Sequence, residues 1–106
     1  MIRTILRIPL KPGRGPGLVD SFERFGIFEE SLAISGCHSV EMALSVDGSE
    51  AVVTAVWENT DAYRAWTERE GKGAHRNAFN EFLSSPIIAS TTGGIYEIAY
   101  VSPRPG

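Results

Sequence analysis

The dipeptide Asp47-Gly48 is the local feature that most constrains the fold, because it joins two strand-like segments. Before it, Cys37 to Val46 alternates, with His38, Val40, Met42, Leu44 and Val46 on one face. After it, Glu50 to Trp57 is apolar on both faces. Asp-Gly between two such segments is typical of a tight hairpin. We therefore predict two antiparallel strands, the second covered on both sides.

The segments on either side of this hairpin predict more strands and a helix. Ile2 to Leu10 alternates as a strand, and the row that contains Leu6 should face the core. Leu18 to Leu32 has apolar residues at helical spacing, with Gly26 as a point where the helix kinks or ends. The final strand is predicted over Ile95 to Val101.

The predicted order is β-α-β-β-α-β, the ferredoxin-like arrangement, within an α+β domain that spans residues 1–106. Two helices cover one sheet face. The apolar residues of the other face require a cover too, and a second copy of the sheet is the simplest one. We therefore expect a homodimer in which the two sheets pack face to face, a dimeric α+β barrel.

Composition excludes several classes of function. A formal net charge of −3 with interspersed signs predicts no nucleic-acid partner. Cys37 is the single cysteine, so an intrachain disulfide is excluded and a cytoplasmic location is expected. No apolar run reaches the roughly 20 residues of a membrane span, and no signal peptide is recognisable.

The stretch from Val52 to Phe82 carries the candidate site. Asn59-Thr60-Asp61 predicts a helix start, and Trp66 and His75 follow nine residues apart. At about 100° per residue they lie on opposite faces of an unbroken helix, so they share a pocket only if Gly71-Lys72-Gly73 interrupts it. The plainer interpretation is that Trp66 is a core aromatic and His75 a half-buried histidine.

The other reactive side chains are expected to be structural. His38 alternates with apolar residues on a strand and should be a satisfied or partner-facing histidine. Cys37 should be inert, because no cation is evidently placed to lower its pKa. Neither a nucleotide nor a flavin motif is present.

The stretch VVTAVWENTDAYRAWTEREGKGAH resembles the signature of the antibiotic biosynthesis monooxygenase family. Within it, the chain looks most like haem-degrading monooxygenases of the IsdG type, which share a helical tryptophan and a histidine nine or ten residues later. That resemblance implies that His75 is the axial haem-iron ligand and that Trp66 packs on the porphyrin. The asparagine that hydrogen-bonds in the distal pocket of those enzymes corresponds to Leu6, which has no donor.

The resemblance leaves three functions open. The first is a haem-binding, haem-degrading monooxygenase, with His75, Trp66, Leu6 and Phe79 around the cofactor and His75 and Trp66 as catalytic residues. The second is a cofactor-independent monooxygenase that oxidises a quinol or polyketide anthrone, with His75 as proton acceptor and Trp66 as a stacking wall. The third is a haem-binding protein without turnover, which the leucine at position 6 favours.

Overall fold

The structure is a computed structural model whose description covers residues 1–69, 79–84 and 92–103. Within these residues the helices and strands run in the order β1 (Ile2–Pro9), α1 (Gly15–Phe25), α2 (Ile27–Leu32), β2 (Cys37–Leu44), β3 (Glu50–Trp57), α3 (Thr60–Thr67), a 3₁₀ turn (Asn80–Phe82) and β4 (Thr92–Glu97). The strands form one antiparallel sheet in the order β2-β3-β1-β4. The α+β ferredoxin-like prediction is confirmed.

No helix in the part of the chain that is described has the length and apolar character needed to cross a membrane.

The predicted hairpin between β2 and β3 is confirmed. One Asp47 carboxylate oxygen accepts hydrogen bonds from the Ser45 hydroxyl at 2.8 Å and from the Ser49 hydroxyl and backbone N–H at 2.7 and 3.0 Å. Gly48 has a φ of 77°, a conformation that glycine adopts without strain. These bonds lower the pKa of Asp47 below its ordinary value, the backbone bond from Ser49 contributing most.

The beginning of β2 departs from simple alternation. Its register shifts between Cys37 and Ser39, so Cys37 lies opposite Trp57 while Ser39 lies opposite Val56. Such a bulge adds one residue to a strand and reverses the facing of whatever precedes it. Cys37 therefore packs against the core, and His38 is exposed. The prediction that His38 shares a face with Val40 while Cys37 faces away was wrong.

Gly26 divides the predicted long helix into α1 and α2. Its φ of 65° is left-handed, and its N–H donates to the Glu23 carbonyl at 3.1 Å, which ends α1. The chain then turns into α2. The expected break at Gly26 is confirmed, but Leu32 is exposed rather than part of the buried stripe, because the stripe does not continue across the break.

The last strand lies earlier in the chain than Ile95 to Val101. It spans Thr92–Glu97 and, among the described strands, pairs with β1. Beyond it, the Ile98 N–H donates to the carbonyl of Met1 at 3.0 Å, so backbone pairing with the start of β1 continues one residue past the strand.

Gly93 and Gly94 resemble a turn in sequence but lie inside β4. A Cβ at Gly93 would lie 2.6 Å from the carbonyl oxygen of Ile5, and one at Gly94 would lie 2.6 Å from the Tyr96 hydroxyl. The two glycines therefore allow the Ile5 carbonyl and the Tyr96 ring to lie close to the backbone of β4, which a side chain at either position would prevent.

Two apolar clusters pack between the helices and the sheet. The larger cluster joins β1, β3, α1 and the segment around the 3₁₀ turn, and its buried members are Ile8, Leu10, Leu18, Ala51, Phe79, Phe82 and Leu83. The smaller consists of Ile2, Ala55, Trp57 and Ala62. An apolar cavity lies between the two clusters and is bordered by residues of β1 and β3.

Gly36, which leads into β2, offers a test of this packing. Its φ is 91°, and an added Cβ would lie 2.9 Å from the Cβ of Ala62. Gly36→Ala should lower the free energy of unfolding in urea by about 2 to 3 kcal/mol, because conformational strain and a clash add. Gly13→Ala is the matched control, since Gly13 has a φ of 75° and no neighbour within 4 Å. The control should lose only about 1 kcal/mol, and equal losses would contradict the proposed clash.

Candidate functional site

An apolar cavity of about 160 Å³ lies between the helices and the sheet and opens to solvent. Because this volume is below the roughly 300 to 1,000 Å³ of typical small-molecule sites, a bound ligand would extend through the opening. The described residues that line it are Thr4, Ile5, Leu6, Phe22, Ile27, Phe28, Ser31, Val40, Val53, Ala55, Trp57, Tyr63 and Trp66. None of these side chains carries a formal charge. The described walls therefore suit an uncharged or delocalised ligand.

Small and β-branched residues of the sheet form the floor of the cavity. Thr4 and Ala55 lie opposite each other on β1 and β3, and Val53 lies two residues before Ala55 on β3. The Trp57 indole N–H donates to the Thr4 hydroxyl at 3.0 Å, and Trp57 is only 1% exposed. This buried bond fixes the orientation of the indole and of the threonine.

Helix α3 supplies one wall of the cavity. It begins where the Asn59 side chain accepts a hydrogen bond from the Ala62 N–H at 3.0 Å, as the sequence predicted. Tyr63 then lies edge-to-face with Trp57 at a centroid distance of 5.5 Å. Trp66 lies 6.5 Å from Trp57 with a 35° tilt between the rings. Three aromatic rings therefore form a continuous surface at this end of the cavity.

Helices α1 and α2 supply the opposite wall. Phe22 and Phe28 meet edge-to-face at 5.6 Å, and Ile27 lies beside them. The Ser31 hydroxyl donates to the Phe28 carbonyl at 2.9 Å, which satisfies that polar group at the cavity surface. Sequence analysis did not assign Phe22 or Phe28 to the site. Their helical spacing within Leu18 to Leu32 predicted only that the two side chains are buried.

Leu6 lies at the mouth of the cavity. Its row on β1 faces the helices and the core, as predicted, but Leu6 itself is 38% exposed. Its position above the open cavity is the reason. Phe79 packs against Phe22 at 5.0 Å within the larger cluster and is not among the described lining residues.

His75 and the predicted break at Gly71-Lys72-Gly73 lie outside the described residues. Trp66 lines the cavity, so it is in place for the stacking role that the resemblance implies. The Arg69 guanidinium lies 3.3 Å from the centroid of the Trp66 ring. It covers one face of that indole.

The described residues include no group of three or more histidine, cysteine, aspartate or glutamate side chains placed to hold a metal ion. His38, in the bulge of β2, is exposed and does not line the cavity.

Cys37 is half-buried, and burial raises the pKa of its thiol. A raised pKa leaves less thiolate at pH 8, and the thiolate is the reactive form. Iodoacetamide should therefore modify native Cys37 about tenfold or more slowly than the same cysteine in urea-unfolded protein. The measurement is alkylation followed by mass spectrometry. Equal rates in the two states would contradict an inert, packed thiol.

The fold and the cavity together define a class of protein: a ferredoxin-like α+β domain with an apolar cavity between helices and sheet. The sequence model of the family described as antibiotic biosynthesis monooxygenase matches residues 1–88. The chain belongs to that family, as the resemblance predicted. A sequence search of curated proteins gives no match.

Solved structures of similar fold agree with this assignment. ActVA-Orf6, a monooxygenase of Streptomyces coelicolor in complex with nanaomycin D, is 22% identical with a TM-score of 0.75, covering 97% of this chain and 92% of its own. SnoaB, a cofactor-independent oxygenase of Streptomyces nogalater, is 17% identical with a TM-score of 0.74, covering 97% of both chains. Rv0793 of Mycobacterium tuberculosis is 18% identical with a TM-score of 0.73, covering 95% of this chain and 97% of its own.

Proposed function

We propose that the protein is a cofactor-independent monooxygenase that oxidises a flat, electron-rich polycyclic phenol such as an anthrone or a quinol. The observation that carries the proposal is the cavity between the helices and the sheet, whose described walls are aromatic or aliphatic and uncharged. Such walls accept a planar aromatic by stacking and exclude water from it. The similar fold of SnoaB, a cofactor-independent oxygenase, is compatible with this chemistry.

The proposed reaction converts the methylene carbon of an anthrone into a carbonyl. The substrate loses a proton, and the resulting anion donates electrons to O₂. One oxygen atom becomes bonded to the carbon and the other leaves as water, so CH₂ + O₂ gives C=O + H₂O. The electrons come from the substrate itself, which is why no metal or flavin is required.

The side chains have two tasks in this reaction. Trp66 and Tyr63, packed against the buried Trp57, provide the surface on which the planar substrate stacks. A proton acceptor is needed as well. We assign that role to His75, as the resemblance to the family suggests. Its placement lies outside the described residues.

Oxygen consumption by metal-stripped protein tests the proposal. With 1,8-dihydroxy-9-anthrone as the probe, we expect oxygen uptake well above the autoxidation in buffer, with one anthraquinone formed for each O₂ consumed. Catalase should return no oxygen, because the reaction releases water rather than peroxide. No uptake above the buffer rate with this anthrone or with a naphthalene diol would overturn the proposal.

Haem binding is the second candidate, and the position of Trp66 in the cavity wall favours it. The apolar walls suit the faces of a porphyrin. None of the described lining residues is a histidine or cysteine, so His75 would have to hold the iron through an imidazole nitrogen. Leu6, at the mouth, has no hydrogen bond to offer a ligand there. We rank haem second because Leu6 lacks the hydrogen-bond donor that haem-degrading relatives have at this position.

A hemin titration separates the two candidates. If haem is the ligand, the Soret band should shift with one equivalent of hemin, and His75→Ala should abolish the shift. Loss of the haem spectrum with reductant in air would indicate degradation, and a stable spectrum would indicate a binding protein without turnover. If the Soret band is unchanged by the protein, haem is excluded.

We further propose that the protein is a homodimer. The sheet face opposite the helices carries Ile5, Val52 and Val56, which are only half-buried in the single chain. A second sheet packed on this face would remove them from water. Sedimentation equilibrium should give twice the mass of the chain, and a monomer at micromolar concentration would contradict this.

A further inference from the structure

Arg69 is held directly against the cavity wall. Its guanidinium carbon lies 3.3 Å from the centroid of the Trp66 ring, and its Nη1 donates to the Trp66 carbonyl at 2.7 Å. The side chain is only 21% exposed. The guanidinium covers one indole face of Trp66, and the same side chain lines the cavity. A positive charge therefore lies behind a wall that itself is uncharged.

Within residues 1–69, 79–84 and 92–103, this charge is only partly compensated. Glu30 on α2 is the described carboxylate that faces Arg69, with 3.8 Å between its Oε2 and the guanidinium Nη2, and its side chain is 54% exposed. An ion pair with this long a distance and this much exposure contributes little stabilising energy. Burial lowers the pKa of Arg69 more than Glu30 raises it, yet an arginine remains protonated at neutral pH. On α3, the exposed Arg64 and Asp61 pair with each other at 3.3 Å.

An anion stacked on the indole face opposite the guanidinium would lie about 7 Å from the guanidinium carbon, given a stacking distance of about 3.5 Å beyond the 3.3 Å already present. At an effective dielectric constant of about 20, two unit charges at that distance change a pKa by about 1 to 2. The pKa change is somewhat smaller for a phenolate, because its negative charge is delocalised over the rings. The effect is still large enough to change the fraction of ionised substrate severalfold at neutral pH.

We propose that Arg69 is a positioning residue that acts through the indole of Trp66 to favour the anionic form of a flat phenolic substrate. The inference rests on the proposed function, because that reaction begins with the substrate anion. It deepens the proposal by naming the class of substrate, a phenol that ionises in the cavity, and by naming the cation that stabilises it. The described lining residues hold no other charge for this task.

The test uses 1,8-dihydroxyanthraquinone, which is flat and phenolic and does not react with O₂. Its visible band moves to longer wavelength on ionisation, so a pH titration of the protein-bound dye reads its pKa directly. Arg69→Gln should raise the pKa of the bound dye by about 1 relative to wild type. In Arg69→Lys, which keeps the positive charge, the pKa of the bound dye should remain close to the wild-type value.

Glu30→Gln supplies a second variant, at an exposed position. Removing this carboxylate should lower the pKa of the bound dye slightly, opposite in sign to Arg69→Gln. If Arg69 had only a structural role, its variants would weaken dye binding without moving the pKa. Binding with equal pKa values in wild type and Arg69→Gln would overturn the inference and leave the proposed function intact. Failure of the wild type to bind the dye would overturn both.

Discussion

Replacing Leu6 with tryptophan should lower kcat/KM for the anthrone by about 100-fold while leaving the protein folded, because the indole obstructs the mouth of the cavity. Leu6 is 38% exposed, so the larger side chain displaces little packed structure. The expected change in the free energy of unfolding is therefore below about 1 kcal/mol. Oxygen-uptake kinetics and urea unfolding measure the two effects.

Leu44→Trp is the matched control for this obstruction. Leu44 is also 38% exposed but does not line the cavity, so the same substitution there should leave kcat/KM within about twofold of wild type. Ala55→Leu obstructs the cavity from its floor instead. It should reduce activity as Leu6→Trp does. Equal activity in Leu6→Trp and Leu44→Trp would show that the substrate does not enter through this mouth.

Replacing Trp57 with alanine should lower the free energy of unfolding by about 3 to 5 kcal/mol, the cost typical of removing a buried tryptophan. Trp57 is 1% exposed, packs against Tyr63 and Trp66, and donates its indole N–H to Thr4. The substitution removes all of these contacts and leaves the Thr4 hydroxyl without its donor. Since small domains are stable by only about 5 to 15 kcal/mol, part of the population should unfold.

Two variants separate the contributions at Trp57. Trp57→Phe keeps an aromatic ring but loses the bond to Thr4 and should cost about 2 kcal/mol. Trp66→Ala removes a half-buried ring and should also cost less than Trp57→Ala, about 1 to 2 kcal/mol. Urea unfolding followed by circular dichroism gives all three values. Similar losses of unfolding free energy in Trp57→Ala and Trp66→Ala would contradict the conclusion that Trp57 contributes more to stability than Trp66.

Features of the fold that depend on neighbouring residues in sequence were predictable. Asp47-Gly48 and Asn59 act through hydrogen bonds within a few residues, so their turn and helix start could be predicted from the sequence. The alternation of β1 and the two apolar faces of β3 likewise predicted these strands, and both lie in the middle of the sheet. The family resemblance gave the same fold by a separate route.

Features that depend on a partner strand were not predictable. The bulge between Cys37 and Ser39 shows only in the pairing with β3, and it reverses the facing of Cys37. The last strand was predicted to begin at Ile95, after Gly93 and Gly94, whereas the close approach of Ile5 and Tyr96 explains why the two glycines lie inside it. Each error came from interpreting one strand without its neighbour.

The candidate site could be predicted only in part. Trp66 was identified from its helix and its family pattern. The contribution of Phe22 and Phe28 depends on how α1 and α2 pack across the sheet. Arg69 could not be identified from sequence either, because a charged residue at the end of a helix usually faces solvent. Its contact with Trp66 becomes visible only in three dimensions.

The most direct test of the central claim is oxidation of 1,8-dihydroxy-9-anthrone under ¹⁸O₂ by metal-stripped protein. We predict that wild-type protein forms anthraquinone with one ¹⁸O atom in the new carbonyl, at a rate about 100-fold above that of Leu6→Trp. Equal rates of labelled quinone formation in the two proteins, or a new carbonyl that contains no ¹⁸O, would contradict the claim that this cavity is the site of a cofactor-independent monooxygenase.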